Sequence, residues 1–292
     1  MGDEPTFSIV IPSRDRPSLL ERCLHTVRAS VASAGTAAEI IVVDDGSEPP
    51  LDRLELEGVR IVRGTGEGPA RARNRGIVAA TGSHIAFTDD DAEVSEEWFS
   101  TLVAAFERHP EALGVRGPVV SPSFDPLYEY SVEDRNGGRY LTCNVAYRRD
   151  ALLRVGGFDP SFRFAHEDID LGVRVAELGT ILFEPAMVVT HPGRPFSAAE
   201  WDRRSRFIAD DWLFFRRHPS YNRVGGSVVL APLRSMARRW LWIGRSSGSF
   251  TNRSRFRRWA RLASGQLWRA SATTAQRGRA HLARPVAPRD GL

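Results

Sequence analysis

The sequence predicts an α/β fold, a mostly parallel sheet with helices on both faces, followed by a basic helical extension. Three observations carry this. Apolar runs of strand length alternate with helix-length amphipathic segments from residue 7 onward. Three of those runs end in polar punctuation, at Ser13-Arg14-Asp15-Arg16, Asp44-Asp45 and Asp89-Asp90-Asp91, and the carboxyl ends of parallel strands are where such sheets keep their chemistry. Charge then divides the chain, with 20 Arg against 32 Asp plus Glu in residues 1–200 and 20 Arg against 4 in residues 201–292.

The elements follow in order. Phe7 to Pro12 reads as a strand, and Pro17 to Val31 as a helix with Leu19, Leu20, Cys23, Leu24 and Val27 on one face. Glu39 to Val43 is a second strand that breaks at the turn sequence Asp44-Asp45-Gly46-Ser47. Val59 to Val62 leads through Gly64-Thr65-Gly66-Glu67-Gly68 into a helix from Pro69 to Ala80, and Ser83 to Thr88 is a buried strand closed by the three carboxylates. A helix is expected from about Ser95. Further on, Leu141 to Arg148 and Met187 to Thr190 are strand-like, while Ile169 to Leu178 and Glu200 to Arg217 are helical. Val119 to Arg139 has no clear period and is expected to form a mobile loop over the site.

Composition narrows the function. The 292 residues suffice for one large core, or a core with a smaller appendage. No apolar run approaches the roughly 18 to 20 residues of a membrane span, and Met1-Gly2-Asp3-Glu4-Pro5 lacks the features of a signal peptide, so a cytoplasmic location is expected. Cys23 and Cys143, in a predicted helix and a predicted strand, are expected to be small buried thiols. Neither the dinucleotide fingerprint Gly-x-Gly-x-x-Gly nor the phosphate loop Gly-x-x-x-x-Gly-Lys-Ser/Thr follows the first strand, which argues against a dehydrogenase or an ATPase. Gly64-x-Gly66-x-Gly68 has the wrong spacing for a fingerprint and reads as a flexible loop.

Three adjacent carboxylates repel one another unless a cation sits among them, and a hard divalent ion with oxygen ligands meets that need. The alternative is an acidic cap for the helix that follows. Taken alone, the triplet fits either.

Six segments in sequence tip the balance: Ser8-Ile9-Val10-Ile11-Pro12, Ile41 to Ser47, Ala70-Arg71-Ala72-Arg73-Asn74-Arg75-Gly76, Asp89-Asp90-Asp91, Gly156-Gly157-Phe158-Asp159 and Glu167-Asp168-x-Asp170-Leu171. Their order over residues 6 to 195 resembles the signature of the family 2 glycosyltransferases. The resemblance implies a GT-A fold over residues 1–195, a nucleotide-sugar donor, inverting transfer and a divalent cation, Mn²⁺ or Mg²⁺.

It also implies roles for matching residues. Asp45, with Asp44 beside it, would hydrogen-bond the nucleotide base, and a carboxylate accepting from uracil N3 favours a UDP-sugar over GDP or dTDP donors. One of the two Asp residues is expected to be structural instead, as an Asx turn. Pro12, Ser13 and Arg14 would line the base and ribose pocket. Arg71 is the matching diphosphate contact, with Arg73 and Arg75 competing for the role. Asp89 and Asp91 map onto the metal motif, Asp90 would reach ribose or metal-bound water, and His191 matches a metal-binding His, against the usual structural role of a lone His. Asp168 is the candidate general base, with Glu167 preceding it and His166 placed to tune it; an acidic helix cap is the alternative, and Asp170 fits that capping or helix-dipole role better. Asn144 would face the donor sugar.

Beyond residue 195 the resemblance fades into an Arg-rich region, 196–292. There Arg234 to Arg269 interleaves Arg with Trp240, Trp242, Phe256, Trp259 and Trp268. Aromatic residues with Arg suit docking on the acidic body with contact to an anionic membrane surface; docking alone ranks second and nucleic acid last. Three function classes stay in view: an inverting glycosyltransferase acting on a saccharide, lipid-linked or small-molecule acceptor, a sugar-nucleotide nucleotidyltransferase, and a non-catalytic sugar- or membrane-surface-binding module.

Overall fold

The computed structural model describes residues 7–54, 56–122, 129–195 and 207–221. In chain order its elements are β1 (Phe7–Ser13), α1 (Pro17–Ala34), β2 (Ala38–Asp44), β3 (Val59–Arg63), α2 (Pro69–Ala79), β4 (His84–Phe87), β5 (Glu93–Val94), α3 (Trp98–Arg108), β6 (Gly114–Arg116), β7 (Val119–Val120), β8 (Glu129–Tyr130), β9 (Val145–Arg148), α4 (Arg149–Arg154), α5 (Glu167–Ala176), β10 (Ile181–Phe183), β11 (Val189–Thr190), β12 (Arg194–Pro195) and α6 (Phe207–Arg217). Seven strands form one sheet in the order β10-β6-β9-β4-β1-β2-β3. Only β9 runs antiparallel, pairing with β4 and β6.

The strand β1 shows why this sheet forms. Its side chains alternate, so Phe7, Ile9 and Ile11 enter one core while Val10 enters the other. The first core packs Leu20, Cys23, Leu24 and Val27 of α1 with Trp98, Phe99 and Leu102 of α3. The second holds Ile77 of α2, Phe158, and Leu171 of α5 against Ile41, Ile85 and Phe87. Helix α1 opens on Pro17, whose fixed φ suits a first turn, and closes on Gly35 at φ 65°. Helix α2 lies so close to β1 that a Cβ at Gly76 would sit 2.3 Å from Val10 Cγ1. In register, Ser13 faces Asp44 across β1 and β2, and Val10 faces Phe87 across β1 and β4, so three polar strand ends finish at one edge.

Some expectations need correction. The segment expected as a mobile loop carries strands: β7 pairs in parallel with β11, β8 pairs antiparallel with β12, and Val119 bridges to Asp134. Strands of two residues are too short to show a period. The helix expected near Ser95 begins at Trp98, because Glu93 and Val94 pair with β11 first. Cys143 lies in a 3₁₀ turn rather than a strand; both thiols are buried and unbridged. The stretch 234–269, on which the membrane expectation rests, lies outside the described residues. Among the described residues no helix is long and apolar enough to cross a membrane.

Candidate active site

A cleft of about 840 Å³ opens at the carboxyl edge of the sheet, lined by residues following β1, β2 and β4 on one side and by the start of α5 on the other. Asp89, Asp90 and Asp91 and the pair Glu167 and Asp168 all face it.

Asp89, Asp91 and His191 each offer one ligand atom, and the three atoms lie within 4.8 Å of one another. His191 is held there by its backbone, whose N–H donates to Val120 O at 2.9 Å. Asp91 Oδ1 is buried and accepts no hydrogen bond, although His191 Nε2 is 3.3 Å away. Its Oδ2 is taken by Arg194, with Arg16 Nη1 at 3.5 Å. Burial opposes ionisation of Asp91, but His191 and Arg194 outweigh it and hold the carboxyl below its ordinary value. An orphaned carboxylate oxygen beside a second carboxylate and an imidazole is a donor set that fits Mn²⁺ or Mg²⁺. Asp90 accepts from Ser13 Oγ at 2.8 Å and pairs with Arg16 at 3.2 Å, and burial raises its pKa.

On the facing wall, Asp168 is half-buried and its Oδ1 accepts from Ile169 N at 2.7 Å. Its pKa is raised by burial, against the Ile169 N–H, Arg73, Arg139 and His166. Glu167 is buried beside it and raised in the same direction, by burial first and by Asp168 second. Arg73 joins the two walls, donating from Nη2 to Asp89 Oδ1 at 2.7 Å and from Nη1 to Glu167 Oε1 at 3.1 Å. Asp170 does not cap α5: it is buried, pairs with Arg174 at 2.7 Å and meets His218 at 2.8 Å.

Pro12, Ser13, Arg14 and Asp45 line the cleft beyond the carboxylates. Asp45 accepts the backbone N–H groups of Gly66, Glu67 and Gly68, so the glycine loop is laid over it, and a Cβ at Gly66 would meet Arg14 Nη1 at 3.1 Å. Asp44 is the structural member of the pair. It is fully buried, accepts from Ser47 N at 2.8 Å and Leu51 N at 2.9 Å, and pairs with Arg63.

Two expectations are corrected here. Arg71 does not line the cleft; it faces a separate groove with Arg60 and Arg75 and pairs with Glu67 at 3.5 Å. Residues 71 and 73 differ by two positions, about 200° around a helix, so only one can face the cleft, and it is Arg73. Asn144 does not line the cleft either. Its amide is buried, accepting from Trp98 Nε1 at 2.9 Å and donating to Pro118 O at 2.9 Å and Met187 O at 2.7 Å. Arg16, Arg139, Arg194 and Asp211, to which the sequence assigns no role, also line the cleft. Arg194 had a signal in its nearness to His191. Asp211 had none, because its contact lies far away in sequence.

A family model described as Glycosyl transferase family 2 matches residues 8–169. The chain is 30% identical over 157 residues to a glucosyl-dolichyl phosphate glucuronosyltransferase of Haloferax volcanii, covering 46% of this chain and 50% of that protein. It is 29% identical over 250 residues to a pre-mycofactocin glycosyltransferase of Mycobacterium tuberculosis, covering 77% of this chain and 51% of that protein. The chain spans about half the length of these curated relatives. Among solved structures, a mannosyltransferase from Pyrobaculum calidifontis in complex with GDP-Man and Mn²⁺ aligns with a TM-score of 0.60 at 17% identity, covering 94% of this chain and 87% of that one. That likeness is one of fold, the GT-A architecture.

Proposed function

The chain belongs to glycosyl transferase family 2, and we propose that it performs inverting transfer of a sugar from a nucleoside-diphosphate donor to an acceptor hydroxyl, with Asp168 as general base. The observation that carries this reading is the shared cleft: the Asp89, Asp91 and His191 cluster and the Asp168 carboxylate face the same space across Arg73.

In this reading the donor lies along the strand ends, with its base near Asp45 and Arg14 and its diphosphate near Asp89 and Asp91. Asp45 retains lone pairs beyond the three N–H groups it accepts, which suits a ring N–H such as that of uracil and favours a UDP-sugar. A divalent cation, Mn²⁺ or Mg²⁺, held by Asp89, Asp91 and His191 would supply charge neutralisation for the departing diphosphate. Arg16 and Arg194, already at Asp91, add fixed positive charge to that end. The acceptor oxygen attacks the anomeric carbon as its bond to the diphosphate breaks, the bonding electrons leave with the nucleoside diphosphate, and the hydroxyl proton passes to Asp168. A carboxylate there also faces the positive charge that develops on the sugar ring. The names of the two curated relatives carry different acceptors, a glucosyl-dolichyl phosphate in one and pre-mycofactocin in the other, and the acceptor proposed here is a saccharide, lipid-linked or small-molecule hydroxyl.

The test is release of nucleoside diphosphate from UDP-glucose, UDP-GlcNAc and GDP-mannose with Mn²⁺ or with EDTA, in wild type and Asp91→Ala. Release that requires both the metal and Asp91 supports the reading. Release indifferent to both contradicts it.

A further inference from the structure

Helix α5, which presents Glu167 and Asp168, begins at His166 with φ 71° and no side-chain cap. That left-handed conformation is strained for a non-glycine residue and persists only where the surroundings hold it. What holds it is α6, beyond both the segment matched by the family model and the expected domain end at residue 195. Asp210 Oδ2 accepts from Phe164 N at 2.6 Å and Ala165 N at 2.9 Å, fixing the turn ahead of His166. Asp211 Oδ1 lies 2.6 Å from His166 Nε2, and the Phe214 ring stacks on the imidazole at 4.9 Å and 19°. Further along, Arg217 pairs with Asp159, and His218 Nε2 lies 2.8 Å from Asp170 Oδ1.

These contacts divide by position. Asp159, Asp170 and Asp210 are buried away from the cleft and fasten α6 to the fold. Asp211 lines the cleft with His166 and Asp168. We propose that Asp211 is a positioning residue for sugar transfer: through His166 it fixes the left-handed turn from which Asp168 is aimed at the acceptor, so the catalytic unit extends through α6. The inference rests on Asp168 as the base. Burial opposes protonation of His166, but the Asp211 carboxylate outweighs it and raises its pKa.

The experiment measures nucleoside diphosphate release from the best donor of the panel above in Asp211→Ala, Asp211→Asn, His166→Gly and the His166→Gly/Asp211→Ala double variant. Calorimetric affinity for UDP with Mn²⁺ and thermal midpoints are measured alongside. Asp211→Ala should lower kcat roughly tenfold or more, with donor KM and UDP affinity within about twofold of wild type. Glycine suits the turn at residue 166, so His166→Gly should fold, and in that background Asp211→Ala should lower kcat no further. Should Asp211→Ala fail to fold, Asp211→Asn, which keeps the shape and an acceptor oxygen, should show a kcat loss of the same kind at a smaller size. A wild-type kcat in Asp211→Ala, or in the folded Asn variant, overturns the proposal, as does an equal loss in the glycine background. If Asp168→Asn itself keeps full turnover, the assignment of the base fails first; if it is inactive while Asp211→Ala is not, only the present inference fails.

Discussion

Arg73 Nη1 stands 3.1 Å from Glu167 Oε1, while its Nη2 holds Asp89 at 2.7 Å. One buried guanidinium therefore ties the acidic strand end to the acidic start of α5. Its planar fork suits the task, since two carboxylates on different elements are met by two parallel donors.

Replacing Arg73 with Ala leaves Glu167 buried beside Asp168 without its cation. At pH 8, above the raised Glu167 pKa of about 7, breaking a buried pair in this way costs about 3 kcal/mol, a fall in the thermal midpoint of roughly 6 to 12 °C for a domain of this size. Arg73→Lys should recover only part, because a single ammonium cannot span both carboxylates in the fork geometry. Urea unfolding of the two variants checks this, and equal stability of Arg73→Ala and wild type would sink the bridging role.

Asn144→Ala removes three buried hydrogen bonds and takes the partner from Trp98 Nε1 and Met187 O, while Pro118 O keeps the Val189 N–H at 3.1 Å. The expected cost is about 2 to 3 kcal/mol. Because the amide does not reach the cleft, the folded fraction should bind UDP with Mn²⁺ at wild-type affinity. Calorimetry that instead shows weaker binding at unchanged stability would return Asn144 to the donor site.

Much of this was legible in the residues. The apolar runs ending in Ser13, Asp44 and Asp89 became β1, β2 and β4, because period-two alternation and turn residues act locally. Sequence order also placed the acidic triplet and Asp168 among the candidates, and the fold puts both on one cleft. The phase of α2 was harder, since Arg71, Arg73 and Arg75 repeat every second residue; the small residues Ala72 and Gly76, a turn apart on the face against β1, mark that phase. Asn144 and Asp211 could not be read, because Trp98, Pro118, Met187 and His166 are brought to them only by the tertiary fold.

Glu167 gives a pH signature. Burial and Asp168 raise its folded pKa above the ordinary 4.5, so the native state keeps a proton that the unfolded chain releases. Stability from this group therefore falls as pH rises from about 4.5 toward the raised value. Glu167→Gln cannot ionise, so its stability relative to wild type should improve between pH 5 and pH 8, as read by urea midpoints at both. An unchanged difference at the two pH values would contradict the raised pKa.

The most direct measurement compares binding and turnover in Asp91→Ala and Asp168→Asn with one donor, UDP-glucose or whichever nucleotide sugar the panel selects, in Mn²⁺. Asp91→Ala should lose metal-dependent donor binding, whereas Asp168→Asn should bind donor as wild type does and lose turnover by about 100-fold or more. Donor binding unaltered in the first variant, or turnover unaltered in the second, would contradict the account.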